Sequence, residues 1–112
     1  PMNLIKGKIE NGIFLSKDIH IQNFHHINDD YILGFRAEDA IINDGNVGNI
    51  RGPIFSIELL GDSVMVTLKI ENCFISVKMS NTYNASMGDE VNISILCTKC
   101  QIFNSETGLN LN

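Results

Sequence analysis

Three segments in the second half of the chain alternate apolar and polar residues with a period of two. In "SVMVTLKIE", Val64, Val66, Leu68 and Ile70 share one face. In "CFISVKM", Cys73, Ile75, Val77 and Met79 do so, opposite Phe74, Ser76 and Lys78. Val91, Ile93, Ile95 and Cys97 repeat the pattern after a turn at Met87-Gly88-Asp89-Glu90. Successive side chains of a strand point to opposite faces, so this period describes half-buried strands. No segment carries a sustained helical period, and that absence constrains the fold most.

The first half agrees. Asn11-Gly12 lies between "LIKGKIE" and "IFL", and both residues tolerate the positive φ of a tight hairpin. "DIHI" and "YILGFR" follow as short strands, separated by the polar "QNFHHINDD" loop. Residues 43–49, "NDGNVGN", hold three Asn, two Gly and one Asp, the clearest break in the chain. They divide it into sub-parts of about 1–42 and 49–112. The sum is eight to ten short strands spaced by Asn, Gly and Asp. We expect an all-β, OB-fold-like β-barrel.

A chain of 112 residues is one domain. It buries roughly two thirds of its unfolded surface and needs no staples. Hydrophobic residues make up 44% and charged residues 19%, which argues against disorder. The net charge of -5 and the scattered Lys and Arg weigh against nucleic acid and anionic membrane as partners. No run approaches the about 18 apolar residues of a membrane span, and no secretory leader is visible. Three cysteines, an odd count, read as reduced thiols in a cytoplasmic protein. The chain opens on Pro1, so a piece of a longer protein is expected.

Signals for chemistry are few. Gly7-Lys8 lacks the earlier glycine and the following Ser or Thr of a phosphate loop. Cys97 and Cys100 form a Cys-x-x-Cys that could bite one zinc, but a structural site needs four ligands and no second pair is spaced for it. Free thiols, with Cys97 continuing the apolar face of its strand, are the expected state. His25, His26, Asp29 and Asp30 read as a polar loop, since adjacent residues of an extended chain point opposite ways. No serine sits in a nucleophile elbow. We expect no catalysis, no cofactor and no metal in this chain.

One stretch breaks the apolar pattern: "LGFRAEDAII", with Arg36, Glu38 and Asp39 inside core-forming sequence. Together with "IELLGDSVMVTL", "MGDEVNISI" and "QIFNSETGLNL", it resembles the C-terminal regulatory region of ATP-binding subunits of ABC importers, the TOBE domain. The resembling positions are Gly34, Arg36 and Glu38; Glu58, Leu60 and Gly61; Gly88 and Asp89; and Phe103, Thr107 and Gly108. Their order covers essentially the whole chain. Ala37 departs from the proline usual in that family and implies a looser corner. "PMNL" at the start is similar to the junction between ATPase and regulatory regions in the subfamily that imports sugars or glycerol 3-phosphate.

The resemblance implies a regulatory and dimerisation domain, peripheral at the inner face of the cell membrane. Its ATPase domain, with ATP and Mg²⁺, would lie N-terminal to it. A second copy, the permease subunits and a regulatory protein would be partners. In this reading Arg36 is a structural corner residue pairing with an acid from another strand, Glu58 being the candidate, because a guanidinium bonds carboxylates through two parallel N–H groups. A partner contact is the functional alternative for Arg36. A second class of function, a small module binding oxyanions such as molybdate, needs converging backbone N–H groups or a basic cluster, and no basic cluster is visible.

Overall fold

The computed structural model describes residues 2–43 and 48–112. Of the 43–49 loop only Asn43, Gly48 and Asn49 therefore fall among the described residues, and Pro1 of "PMNL" falls outside them. The first half contributes β1 (Met2–Glu10), β2 (Ile13–Ser16), β3 (Ile19–Ile21), β4 (Asp29–Arg36) and β5 (Ile41–Asn43). The second contributes β6 (Ile50–Leu59), β7 (Ser63–Ile70), β8 (Cys73–Ser80), β9 (Glu90–Ser94) and β10 (Gln101–Asn104). Two short 3-10 turns, Ala37–Asp39 and Cys97–Lys99, complete the described elements. The fold is all-β, as the period-two pattern predicts.

All pairings are antiparallel, in the order β10-β4-β1-β2-β3-β6-β7-β8, with β9 joining β6 to β5. The two sub-parts of the sequence thus share one continuous hydrogen-bonded path. Asn11 and Gly12 take φ of 51° and 82°, so the β1–β2 hairpin closes on the Asn-Gly signal. β6 is the pivot. Its first residues, Ile50 to Pro53, pair with β9, whereas Ile54 to Leu59 pair with β7. The register slips between Ile54 and Ser56, leaving Phe55 as an extra residue turned outward. Such a bulge bends a strand and lets it serve two sheets. Proline is tolerated at Pro53 because the neighbouring β3 pairs with β6 only at Ile50 and has ended.

The core lies between the two layers so formed. Ile9, Phe14, Leu33 and Phe35 from the β1–β4 layer meet Val66, Leu68, Ile75 and Val77 from the β7–β8 layer, all at most 1% exposed. Ile93 of β9 and Ile102 of β10 belong to the same buried cluster. At about 1.5–3 kcal/mol per fully buried large aliphatic side chain, these contacts drive the collapse.

The path does not close on itself. Among the described residues β8 has no strand on its outer side. There Asn3, 8% exposed on β1, crosses the gap. Its Nδ2 donates to the Ser76 carbonyl at 2.9 Å, and its Oδ1 accepts the Ser76 N–H at 2.8 Å. The carboxamide thus stands in for a strand neighbour, satisfying both backbone groups of one residue.

Asn3→Ala leaves those two groups without partners and should lower stability by about 1–3 kcal/mol. Asn3→Asp should fail to rescue, because a carboxylate loses the donor and faces the Ser76 carbonyl. Urea denaturation midpoints check this, and unchanged midpoints in both variants would contradict it.

Candidate functional site

The resembling residues do not converge on one pocket. They occupy turns and strand crossings. Gly34 lies in the middle of β4, between Leu4 of β1 and Gln101 of β10. A Cβ there would meet Phe103 Cε2 at 2.9 Å and Met2 Sδ at 2.6 Å. So Phe103 packs directly over Gly34, and two resembling positions far apart in sequence are brought together. Gly61, Gly88 and Gly108 take φ of +87°, +91° and +75°. That region is costly for a residue with a Cβ, which is why glycine stands at these turns.

The side chains around those glycines shape the turns. The Asp89 carboxylate accepts the Ser86 N–H at 2.9 Å, and the Asp89 carbonyl accepts the Ile54 N–H at 2.9 Å, beside the β6 bulge. Thr107 Oγ1 accepts the Leu109 N–H at 3.2 Å. Asn104 Oδ1 accepts the N–H groups of Glu106 and Thr107, both at 2.8 Å. The tail after Gly108 then folds back along β10, with Asn110 opposite Phe103.

The expected role of Arg36 needs correction. Arg36, Glu38 and Glu58 are all exposed. Arg36 ends β4 opposite Met2, and Glu58 faces Met65 on β7. Among the described residues the ion pairs are Lys8–Glu10 and Arg51–Glu90, and neither includes Arg36. A charge at a strand end reaches water without a partner, so no buried pair is required. The corner is a 3-10 turn, Ala37–Asp39, with Ala37 buried.

Cys97 and Cys100 sit in and just after the second 3-10 turn, not on a continued strand, since β9 ends at Ser94. Cys100 is the buried one; Cys97 is half-buried, with its thiol 3.6 Å from the Asn23 carbonyl. Among the described residues no group of three or more His, Cys, Asp and Glu could hold a metal ion. In the "HHINDD" segment His26 packs between Phe24 and Tyr31, and its Nε2 lies 3.2 Å from the Leu111 carbonyl. That segment is a loop pinned to the tail, and Asp29 and Asp30 already belong to β4.

A further surface, without a motif of its own in the sequence, lies on the outer face of β6, β7 and β8. Phe55 and Phe74, 52% and 50% exposed, meet edge to face at 5.1 Å. The Lys69 ammonium lies 5.7 and 5.6 Å from the two ring centroids. An exposed aromatic pair crowned by a cation offers both apolar area and charge to a partner. Its signal was present: Phe74 stands on the polar side of an alternating strand.

No protein-family model matches the chain, and no curated protein matches it significantly.

Two outcomes follow. Arg36→Ala should change stability by no more than about 0.5 kcal/mol, as an exposed substitution does; a loss of several kcal/mol in chemical denaturation would restore the buried pair. Burial pushes the Cys100 thiol from its ordinary 9.0 up to about 12, with Cys97 and Asp39 adding to the shift. The unfolded thiol ionises first, so the unfolded state holds fewer protons in that interval. The contribution is intact below about pH 9 and is lost as pH rises through about 12. Cys100→Ala should flatten the fall of the thermal midpoint across that window, and an identical slope in the variant would contradict the assignment.

Proposed function

We propose that the chain is a regulatory domain of the TOBE type, belonging to the ATP-binding subunit of an ABC importer. It serves as an assembly and docking module and performs no catalysis. The observation that supports this reading best is the placement of the resembling residues. Gly34 lies beneath Phe103, and Gly61, Gly88-Asp89 and Thr107-Gly108 shape three turns. A pattern made of corners and turns preserves a shape, as an interaction module requires, and gathers no reactive groups. The exposed Phe55–Phe74 pair supplies a surface for a regulator.

On this reading ATP and Mg²⁺ belong to a separate ATPase domain of the parent polypeptide. The partners are a second copy of that subunit, the permease subunits it drives and a regulatory protein, at the inner face of the cell membrane. The cargo is a small solute, a sugar or glycerol 3-phosphate by the "PMNL" opening. No helix among the described residues is long and apolar enough to cross a membrane, which is compatible with a peripheral place.

The coding sequence upstream of Pro1 tests the reading. It should encode a phosphate loop and an ABC signature; an upstream region with neither would contradict the assignment. The chain alone should turn over no ATP, and titration with molybdate should give no heat. Stoichiometric molybdate binding would favour the oxyanion module instead.

A further inference from the structure

A cleft of about 700 Å³ runs between β1 and the β7–β8 hairpin. Its floor is apolar, with Ile70 at 5% exposure, and its walls are Leu4 and Phe74, which are more than half and half exposed. Its lips carry Lys6 and Lys17 against a single acid, Glu71. Lys69 rests on the Phe74 ring beside it. A chain of net charge -5 thus places two lysines on the lips of one groove and a third on the far side of its Phe74 wall. Among the described residues none of the three forms an ion pair.

The groove also exposes strand edges. β1 pairs with β2 only through Lys8, Ile9 and Glu10, so the β1 edge at Leu4 and Lys6 is open on that side. Ser16 Oγ, donating to the Lys6 carbonyl at 2.9 Å, is its one partner there among the described residues. On β8, Asn3 engages both backbone groups of Ser76. Backbone direction alternates along a strand, so the N–H and C=O of Phe74, two residues away, point the same way as those of Ser76. Among the described residues they meet no partner. An open edge beside an apolar groove is the arrangement that accepts an added strand, with main-chain bonds giving affinity and alternate side chains giving specificity.

We infer that this groove binds an extended peptide segment of a partner protein in which apolar residues alternate with Glu or Asp. The segment adds to the β8 edge at Phe74, its apolar side chains enter the cleft, and its carboxylates meet Lys6 and Lys17. A two-fold contact of groove on groove between two copies of this chain would set these lysines against each other. Nucleic acid would meet an acidic protein. The inference goes beyond the transporter reading and holds whatever the parent protein does.

The test is an amide-shift titration of ¹⁵N-labelled chain with three probes: an acetylated, amidated Glu-Val repeat hexapeptide, the matching Lys-Val hexapeptide, and an oligothymidylate of similar length. The Glu-Val peptide should shift the amides of Leu4, Lys6, Cys73 and Phe74 and slow hydrogen exchange at the Phe74 amide. The K6E/K17E double variant changes two surface side chains, and an unaltered spectrum away from the groove verifies its fold. It should weaken the Glu-Val peptide by about tenfold and gain affinity for the Lys-Val peptide. Four results would overturn the proposal: no shifts at about 2 mM peptide, shifts centred elsewhere, equal binding of both peptides, or binding of the oligothymidylate alone.

Discussion

The carboxamide of Asn3 holds Ser76 by both of its backbone groups, and through that contact the outer edge of β8 is fixed against β1. Among the described residues the β7–β8 hairpin is otherwise joined to the hydrogen-bonded path through β6 alone, which turns at its bulge after Ile54. A hairpin attached on one side could hinge about that bulge and open the core between the layers. The Asn3 contact spans 73 residues of sequence and ties the β7–β8 hairpin to the first half, beside the β4–β10, β3–β6 and β5–β9 pairings that join the two halves. It also sets the dimensions of the neighbouring cleft, because Leu4 follows Asn3 and Phe74 lies two residues before Ser76.

The same device recurs. Asn49 Oδ1 accepts the Ile95 N–H at 2.7 Å while its Nδ2 donates to the His20 carbonyl at 3.3 Å, joining the middle of β3 to the residue after β9. Asn112 Oδ1 accepts the Ile102 N–H at 2.7 Å while its Nδ2 donates to the Cys100 carbonyl at 3.1 Å, at the end of the tail that lies along β10. In each case an amide side chain, with one donor and one acceptor, replaces a peptide unit where a ladder is interrupted. An open path of strands has many such interruptions. Asparagine is suited to them because it offers both polarities without a charge to desolvate.

The strands of this fold were legible because alternation reports burial directly, and the hairpin turns because Asn-Gly and Gly-Asp report backbone dihedrals. Other features depend on distance in space and left no local trace. Asn3 reads as one polar residue at a strand start, and nothing nearby in sequence marks Ser76 as its partner. The switch of β6 rests on one extra residue, Phe55, whose outward turn depends on two different neighbours. For Arg36 an arginine within apolar sequence suggests a buried pair, whereas the register places it at the exposed end of β4. For Cys97 the alternation suggests a strand that in fact ends three residues earlier, because Ile95 prolongs the apolar pattern past the last ladder bond. The Phe55–Phe74 surface was only half visible: Phe74 stood on the polar side of its strand, but its ring partner lies across β7.

Shape and surface therefore divide the chain's residues into two sets. Turn glycines and bridging asparagines keep the path folded; Phe74, Leu4 and the surrounding lysines face outward and remain available to a partner. The link between the sets is the β8 edge, satisfied at Ser76 and open at Phe74. Native-state hydrogen exchange at those two amides measures that difference directly. The account predicts a protected Ser76 amide, its exchange slowed by the Asn3 carboxamide, and a fast Phe74 amide in the same strand. Equal exchange at the two positions would contradict it.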